Sequence, residues 1–420
     1  MGVKAESQAI PGQQISVEER QRLAVDGLLP TKIMHPGDAE DMARLLRLCD
    51  LTPAAVVVWG GGTQMRLGSA PARYDVAFST ERMTDLLEYE PADLTCRVEA
   101  GMRVAELQAQ LAAQGQRLPL DPPHPERATV GGMVAANTSG LSRARYGTVR
   151  DWVIGIAVAY PSGKVARAGG KVVKNVAGYD LMKLHIGALG TLGVVAEVNL
   201  KVQARPEAAA TLLGHFEAPA PAVEAGLRLA RQYLAPASAV VVDRNALWAC
   251  GLTADWRWTL ALKLEGYRRE VDAAKEVAAR AIREAGGRTE GQDIPVGFWE
   301  AARDWSGAGD DQVLLRAIVP LNGEATIMAA LPADGQLMAQ PGAGIIEARL
   351  PAGSAAAVLT RLRAAAGPDG QVIVAAAPAL VKQGLDVWGP PPPGFAIMRA
   401  LKQALDPNGI LNPERFVGGI

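Results

Sequence analysis

A run of β-formers, Val56-Val57-Val58-Trp59, empties straight into Gly60-Gly61-Gly62-Thr63-Gln64-Met65. Three adjacent residues without side chains leave backbone N–H groups open to approach, and such a turn can cradle phosphate. Two further glycine-rich stretches lie at residues 129–147 and 187–195. The first holds Thr129-Val130-Gly131-Gly132-Met133-Val134-Ala135-Ala136-Asn137 and, further on, Tyr146-Gly147. The second reads Gly187-Ala188-Leu189-Gly190-Thr191-Leu192-Gly193 and continues into Val194-Val195. Three such loops together suggest a dinucleotide held by main-chain donors.

The spacing excludes the two common phosphate motifs. A Rossmann turn needs a third glycine opening a helix, but Met65 stands there and Arg66-Leu67-Gly68-Ser69-Ala70-Pro71 is no helix start. A P-loop fails because Gly170-Lys171 is followed by Val172, and Val165 occupies the place of its first glycine. The chain's formal net charge of −1 implies no field for nucleic acid. Its three cysteines, Cys49, Cys96 and Cys250, are scattered, which speaks against a metal or iron–sulfur site and fits a reducing cytosol. The four histidines, His35, His124, His185 and His215, have no metal-ligand spacing. The first twenty residues lack the basic start and apolar centre of a signal peptide, and no apolar run approaches the roughly 18–20 residues that span a bilayer.

The elements that must position these loops follow from periodicity. Ser16-Val17-Glu18-Glu19 is a capping box for a short opening helix. Met42, Leu45, Leu46 and Cys49 mark an amphipathic helix stopped by Pro53, with the 54–59 strand after it. Thr95 to Glu99 alternates as a strand, and Val104, Leu107 and Leu111 face one way on a helix. Leu118-Pro119-Leu120-Asp121-Pro122-Pro123 is stiff and extended. Residues 151–159 and 164–168 form a hairpin, and Val194 to Val202 alternates as a half-buried strand. Ala and Pro gather at 204–221, a domain boundary. Beyond it strands and helices alternate, which suits an antiparallel sheet with helices on one face. Pro390 to Pro393 leads into a last helix at 395–405 and the tail Asp406-Pro407-Asn408-Gly409-Ile410-Leu411-Asn412-Pro413.

Read together, these residues resemble the flavin-binding fold shared by vanillyl-alcohol oxidase and p-cresol methylhydroxylase. The likeness covers about residues 31–206 and the tail. Within that superfamily the segment 170–181, Gly-Lys-Val-Val-Lys-Asn-Val-Ala-Gly-Tyr-Asp-Leu, is similar to the FAD-binding subunits of bacterial glycolate oxidases. The resemblance implies an α+β fold with a two-subdomain PCMH-type FAD-binding domain at 31–206. It further implies an N-terminal extension at 1–30, a ferredoxin-like cap at 207–394 and a return segment at 395–420. It implies FAD contacts at Gly60, Gly61, Gly62, Thr63, Gln64, Met65, Pro123, Thr129, Gly131, Gly132, Ala135, Asn137, Tyr146, Gly147, Gly190, Gly193, Val194, Val195 and Asn412. Lys171, Lys174 and Asn175 are candidates on the substrate side.

The implied chemistry is oxidation of glycolate or a related 2-hydroxy acid. Electrons would pass through the flavin to a larger flavoprotein subunit and an iron–sulfur subunit, in the cytoplasm or peripherally at the inner membrane. Gln64 stands where covalent members often carry a flavin-linked His, so non-covalent FAD is expected. Residues 216–420 contain no His, although related dehydrogenases use a His and acidic cluster there; the catalytic base is unassigned and no metal is expected. Two other readings stay open: an autonomous D-2-hydroxy-acid dehydrogenase, and an assembly subunit whose FAD is structural. Arg143 and Arg145 are possible anion contacts, and His124 and His185 lie near the cofactor loops.

Overall fold

The computed structural model describes residues 10–170, 180–289, 294–295, 297–305, 311–332 and 334–420. The chain begins with a small parallel unit. Strands Lys32–Met34 and Val56–Trp59 flank Val76–Ser79, all parallel, with Gln13–Gln14 antiparallel at the edge. Helix Ala39–Leu51 supplies the crossover between the two flanking parallel strands, Lys32–Met34 and Val56–Trp59. Its start is fixed by the Asp38 carboxylate, which accepts from the Asp41 N–H at 2.7 Å. Ala39, Met42, Ala43, Leu46 and Cys49 are its buried face. Truncating Leu46 to Ala there would cost about 2–5 kcal/mol, the usual range for a filled core position.

That helix is sandwiched against a five-stranded antiparallel sheet ordered Leu86–Glu90, Thr95–Glu99, Val194–Lys201, Val153–Ala159, Val165–Gly169. Helices Val104–Ala112 and Val130–Ala136 cover its other face. One detail departs from the simple alternation expected of Val194 to Val202. Val194 and Ala196 pack with the crossover helix, whereas Val195, Val198, Leu200 and Val202 pack on the opposite face. A register shift between Val195 and Glu197 makes the switch, because a bulge reverses which residues face each side. The strand is therefore buried on both faces at its start, where it leaves the third glycine loop.

The cap is one seven-stranded antiparallel sheet, ordered Ala208–Phe216, Trp258–Gly266, Ser238–Asp243, Gln336–Gln340, Ile345–Pro351, Gln312–Ile318, Gln371–Ala376. Its second half is a complete ferredoxin-like βαββαβ unit, with helices Glu324–Ala329 and Ala355–Ala366. The first half repeats that order through its third strand and second long helix, and among the described residues a single antiparallel bridge, His215 with Arg288, follows. The halves join through their second strands, Val241 opposite Ala339 and Val242 opposite Met338. Four helices cover one face. The expectation of a bare second face does not hold: helices Arg244–Ala249 and Phe298–Asp304 pack there over Val240, Val242, Leu314 and Met338, since that face is also apolar. Where these two helices end, the sheet face turns toward the cofactor-side unit.

The tail closes the structure. Val56 N–H donates to the Ile410 carbonyl and Asn412 N–H to the Val56 carbonyl, both at 2.8 Å, adding a short parallel pairing beside the first glycine loop. Among the described residues no helix is long and apolar enough to cross a membrane.

Candidate cofactor and substrate site

The first loop is built for backbone contact. A Cβ on Gly61 would lie 1.6 Å from the Arg127 carbonyl oxygen, and one on Gly60 would lie 2.2 Å from Thr129 Oγ1. The loop thus presses its Cα atoms into the protein and leaves its other side to a cleft. Among the described residues, none of the N–H groups of Gly60, Gly61, Gly62, Thr63 and Gln64 donates a hydrogen bond, and all five residues line that cleft. Successive open donors of this kind form an anion-binding concavity.

The second loop is different in kind. Thr129 caps helix Val130–Ala136, its Oγ1 accepting from Gly132 N–H at 3.2 Å. Val130 N–H donates to Met102 at 2.9 Å and Gly131 N–H to Ala100 at 2.8 Å. This helix N-terminus is satisfied internally, so of these two loops the first is the one with open donors. The third loop is laced onto the same helix: Gly187 N–H donates to Val134 at 3.0 Å and Leu189 N–H to Ala135 at 2.9 Å.

Three side chains from the tail and cap tie the loops together. Asn412 Oδ1 accepts from Val58 N–H at 3.3 Å while its Nδ2 donates to the Leu189 carbonyl at 2.9 Å. Arg415 donates to the carbonyls of Met65 and Leu67 at 2.7 and 2.8 Å. Lys382 donates to Arg66 and Gly68 carbonyls at 2.5 and 3.0 Å and pairs with Asp26 at 2.9 Å. Burial pushes the proton affinity of both cations down, though Asp26 offsets part of this at Lys382. Four consecutive carbonyls, from residues 65 to 68, are thus turned onto buried positive charge. Arg415 also lines the cleft, and its buried Nε has no partner among the described residues.

The cleft so formed gathers Gly60 to Met65, Thr129, Gly131, Gly132, Ala135, Gly190, Gly193, Val194, Val195 and Asn412. His185 is there too, its Nε2 2.9 Å from the Tyr160 hydroxyl; burial lowers its pKa to about 4, so it is neutral at pH 7. Open donors plus a buried guanidinium suit a pyrophosphate, and the apolar walls at Val58, Val194 and Val195 suit ring systems. The cleft fits FAD.

Asn137 and Pro123 line an adjoining chamber instead, together with Leu67 and Leu189. Its opposite wall is the cap sheet, through Arg316, Ile318, Gln340, Ile345, Glu347 and Gln371. Arg316 Nε donates to Glu347 at 2.7 Å, directly across the strand pair. Arg143 enters from the cofactor side, and Arg303 from helix Phe298–Asp304. Burial lowers the proton affinity of Arg143, the Arg316 charge adds to this, and its buried Nε has no partner among the described residues. Three guanidinium groups against one carboxylate on the chamber wall favour a small anion.

Tyr146 and Gly147 lie away from both spaces. The Tyr146 hydroxyl donates to Glu265 at 3.2 Å and its ring lies under Arg117, on the far side of the loop that carries Arg143. Lys171, Lys174 and Asn175 fall outside the described residues. Asp180 precedes only a short 3-10 turn, Leu181–Leu184, and makes no side-chain cap bond. Among the described residues no group of three or more His, Cys, Asp or Glu could hold a metal ion. Sequence reasoning missed Arg316 and Glu347. Their signal was a lone Arg and a lone Glu inside the apolar strands Gln312–Ile318 and Ile345–Pro351.

Comparison with known proteins agrees with this geometry. Residues 30–169 match the FAD binding domain family, and residues 390–416 match the C-terminal domain of FAD linked oxidases. Solved structures with the same fold include p-cresol methylhydroxylase, at TM-score 0.69 and 18% identity over 92% of this chain and 88% of that one. Another is 4-ethylphenol oxidase from Gulosibacter chungangensis, at TM-score 0.70 and 16% identity over 96% and 93%. The fold and cleft therefore define a PCMH-type FAD-binding flavoprotein. Glycolate oxidase subunit GlcE of Escherichia coli is 31% identical over 88% of this chain and 94% of its own length. The chain belongs to the FAD-linked oxidase family that includes this subunit. Glycolate oxidase subunit GlcD of Bacillus subtilis is 33% identical, but over only 45% of this chain and 40% of its own length.

Proposed function

We propose that this chain is the FAD-carrying subunit of a glycolate-oxidase-like enzyme, which oxidises glycolate or a related 2-hydroxy acid to the 2-oxo acid. Its electrons would leave through the flavin to an iron–sulfur partner, with the assembly in the cytoplasm or peripherally at the inner membrane. The observation that carries this reading is the pair Arg143 and Arg316, on opposite walls of a chamber that shares Leu189 with the cofactor cleft.

Bound in the cleft, the flavin supplies a two-electron acceptor. The residues of this chain do the rest. The first glycine loop and Arg415 hold the pyrophosphate, and Gln64 in place of a His leaves the cofactor non-covalent. Arg143 and Arg316 take the substrate carboxylate, with Glu347 fixing the Arg316 fork in one orientation. Each charge-assisted bond is worth about 1.5–3 kcal/mol. The cap sheet walls one side of the chamber and so limits the approach of water to the reacting carbon.

A second reading, an autonomous D-2-hydroxy-acid dehydrogenase, is favoured by Arg143 and Arg316 facing one chamber beside the cofactor cleft. Anaerobic addition of glycolate and of D-lactate to the isolated, FAD-loaded chain separates the two. Bleaching of the flavin by the chain alone supports autonomy. Bleaching only after a GlcD-like subunit is added supports the subunit reading. Turnover that survives loss of this chain's FAD would favour a structural cofactor instead.

A further inference from the structure

The proposed oxidation needs a group to take the hydroxyl proton, and the cap beyond residue 215 offers no histidine. We infer that His124, from the cofactor side, is that proton acceptor, and that Asp304 of the cap is its positioning residue. The inference rests on the 2-hydroxy-acid reading.

His124 lines a pocket with Thr63 and Gln64 of the pyrophosphate loop and with Arg316 of the cap sheet. Arg316, Pro123 and Leu67 also line the substrate chamber, so the two spaces are neighbours. The imidazole is about a third exposed, and its Nδ1 lies 3.8 Å from both Asp304 and Glu126. The backbone N–H of His124 donates to Asp304 Oδ1 at 2.7 Å, which anchors the main chain that carries the imidazole. Asp304 is in turn gripped by Arg303, whose Nε and Nη2 reach its two oxygens at 2.8 and 2.9 Å. Burial alone would raise the Asp304 carboxyl, but Arg303 and the His124 N–H hold it below the usual range, so it stays anionic. A fixed carboxylate beside an imidazole stabilises the imidazolium that forms on proton uptake.

The backbone agrees. His124 has φ +53°, a left-handed conformation uncommon outside glycine although His enters it more readily than most residues, and it is flanked by Pro123 and Pro125. Strain of this kind persists where surrounding contacts over-determine it, and here the contact is Asp304 across the domain boundary. Among the described residues, Glu347 is engaged by Arg316, and His185 pairs through Nε2 with Tyr160 while burial disfavours its protonated form. In the step, the substrate O–H bond breaks and its proton passes to His124. The Cα–H bond breaks and its hydride leaves to oxidised flavin, and the C=O bond forms.

The test uses His124→Asn, since Asn tolerates left-handed φ, in the full FAD-loaded chain, with its GlcD-like partner if the wild type requires it. Three readouts are compared with wild type: flavin content, the spectral change on binding oxalate, and the rate of anaerobic bleaching by 2-hydroxy acid. We expect unchanged flavin, oxalate affinity within about 3-fold, and bleaching slowed by about 100-fold or more. His124→Gly should regain part of its rate with added imidazole, and Asp304→Asn should slow bleaching about 10-fold. Bleaching at the wild-type rate in His124→Asn would overturn the inference. So would a joint loss of oxalate binding and flavin, which would make His124 structural. A wild-type flavin that no 2-hydroxy acid bleaches overturns the parent reading first, and the inference with it.

Discussion

The side-chain amide of Asn412 donates to the carbonyl of Leu189 at 2.9 Å, joining residues 223 apart in sequence. The same side chain accepts from Val58 at 3.3 Å, so one residue near the C-terminus holds the first and third glycine loops in register. Asn412 is 3% exposed. Asn412→Ala leaves two half-buried partners, Val58 N–H and the Leu189 carbonyl, without it and should cost about 1–3 kcal/mol. Urea unfolding and FAD titration should show that loss together with weaker FAD binding.

Glycine substitutions should separate loop from helix. Gly61→Ala places a Cβ 1.6 Å from a backbone carbonyl, so the loop must move and bound FAD should fall to background. Gly132→Ala meets only Thr129 Oγ1, at 3.0 Å, and should retain most of it. Flavin per protein chain, read from absorbance, checks both.

Charge in the chamber should govern substrate affinity without touching the cofactor. Arg143→Gln or Arg316→Gln should raise KM for a 2-hydroxy acid about 10- to 100-fold, the size of a lost charge-assisted bond. Flavin content should stay level. Arg316→Gln should also leave Glu347 buried without its partner and lower the melting temperature, whereas Arg143→Gln should not.

His185 gives a pH signature of stability. Its pKa falls from 6.5 to about 4 on folding because burial disfavours the charged form. Between those values the unfolded chain binds the extra proton, so this contribution is complete above pH 6.5 and fades as pH falls toward 4. His185→Gln should flatten that fall by on the order of 2–3 kcal/mol between pH 7 and pH 4. Asp121, raised by burial to about 6, has the opposite slope, so the comparison is with wild type at each pH. Urea midpoints at pH 7, 5.5 and 4.5 decide it.

The cofactor cleft was legible because its parts are local: each glycine loop is a contiguous signal at the end of one element. The Ser16 capping box and the crossover helix were legible for the same reason. The chamber was not, because Arg143, Arg303 and Arg316 come from three distant elements and meet only through the cap's topology. Tyr146 shares a glycine-rich stretch with Asn137, yet the short helix Arg143–Tyr146 turns it to the other side of the loop. The bulge at Val195 and the two helices on the second cap face depend on tertiary packing, which strand periodicity does not encode.

The most direct measurement is the visible spectrum of the purified, FAD-incubated chain, followed by acid precipitation and flavin fluorescence of the supernatant. A flavin spectrum whose cofactor is released by acid at about one per chain is the expected result, and Gly61→Ala should abolish it. A chain that retains no flavin after saturation with FAD, or one whose flavin stays in the precipitate, would contradict the account.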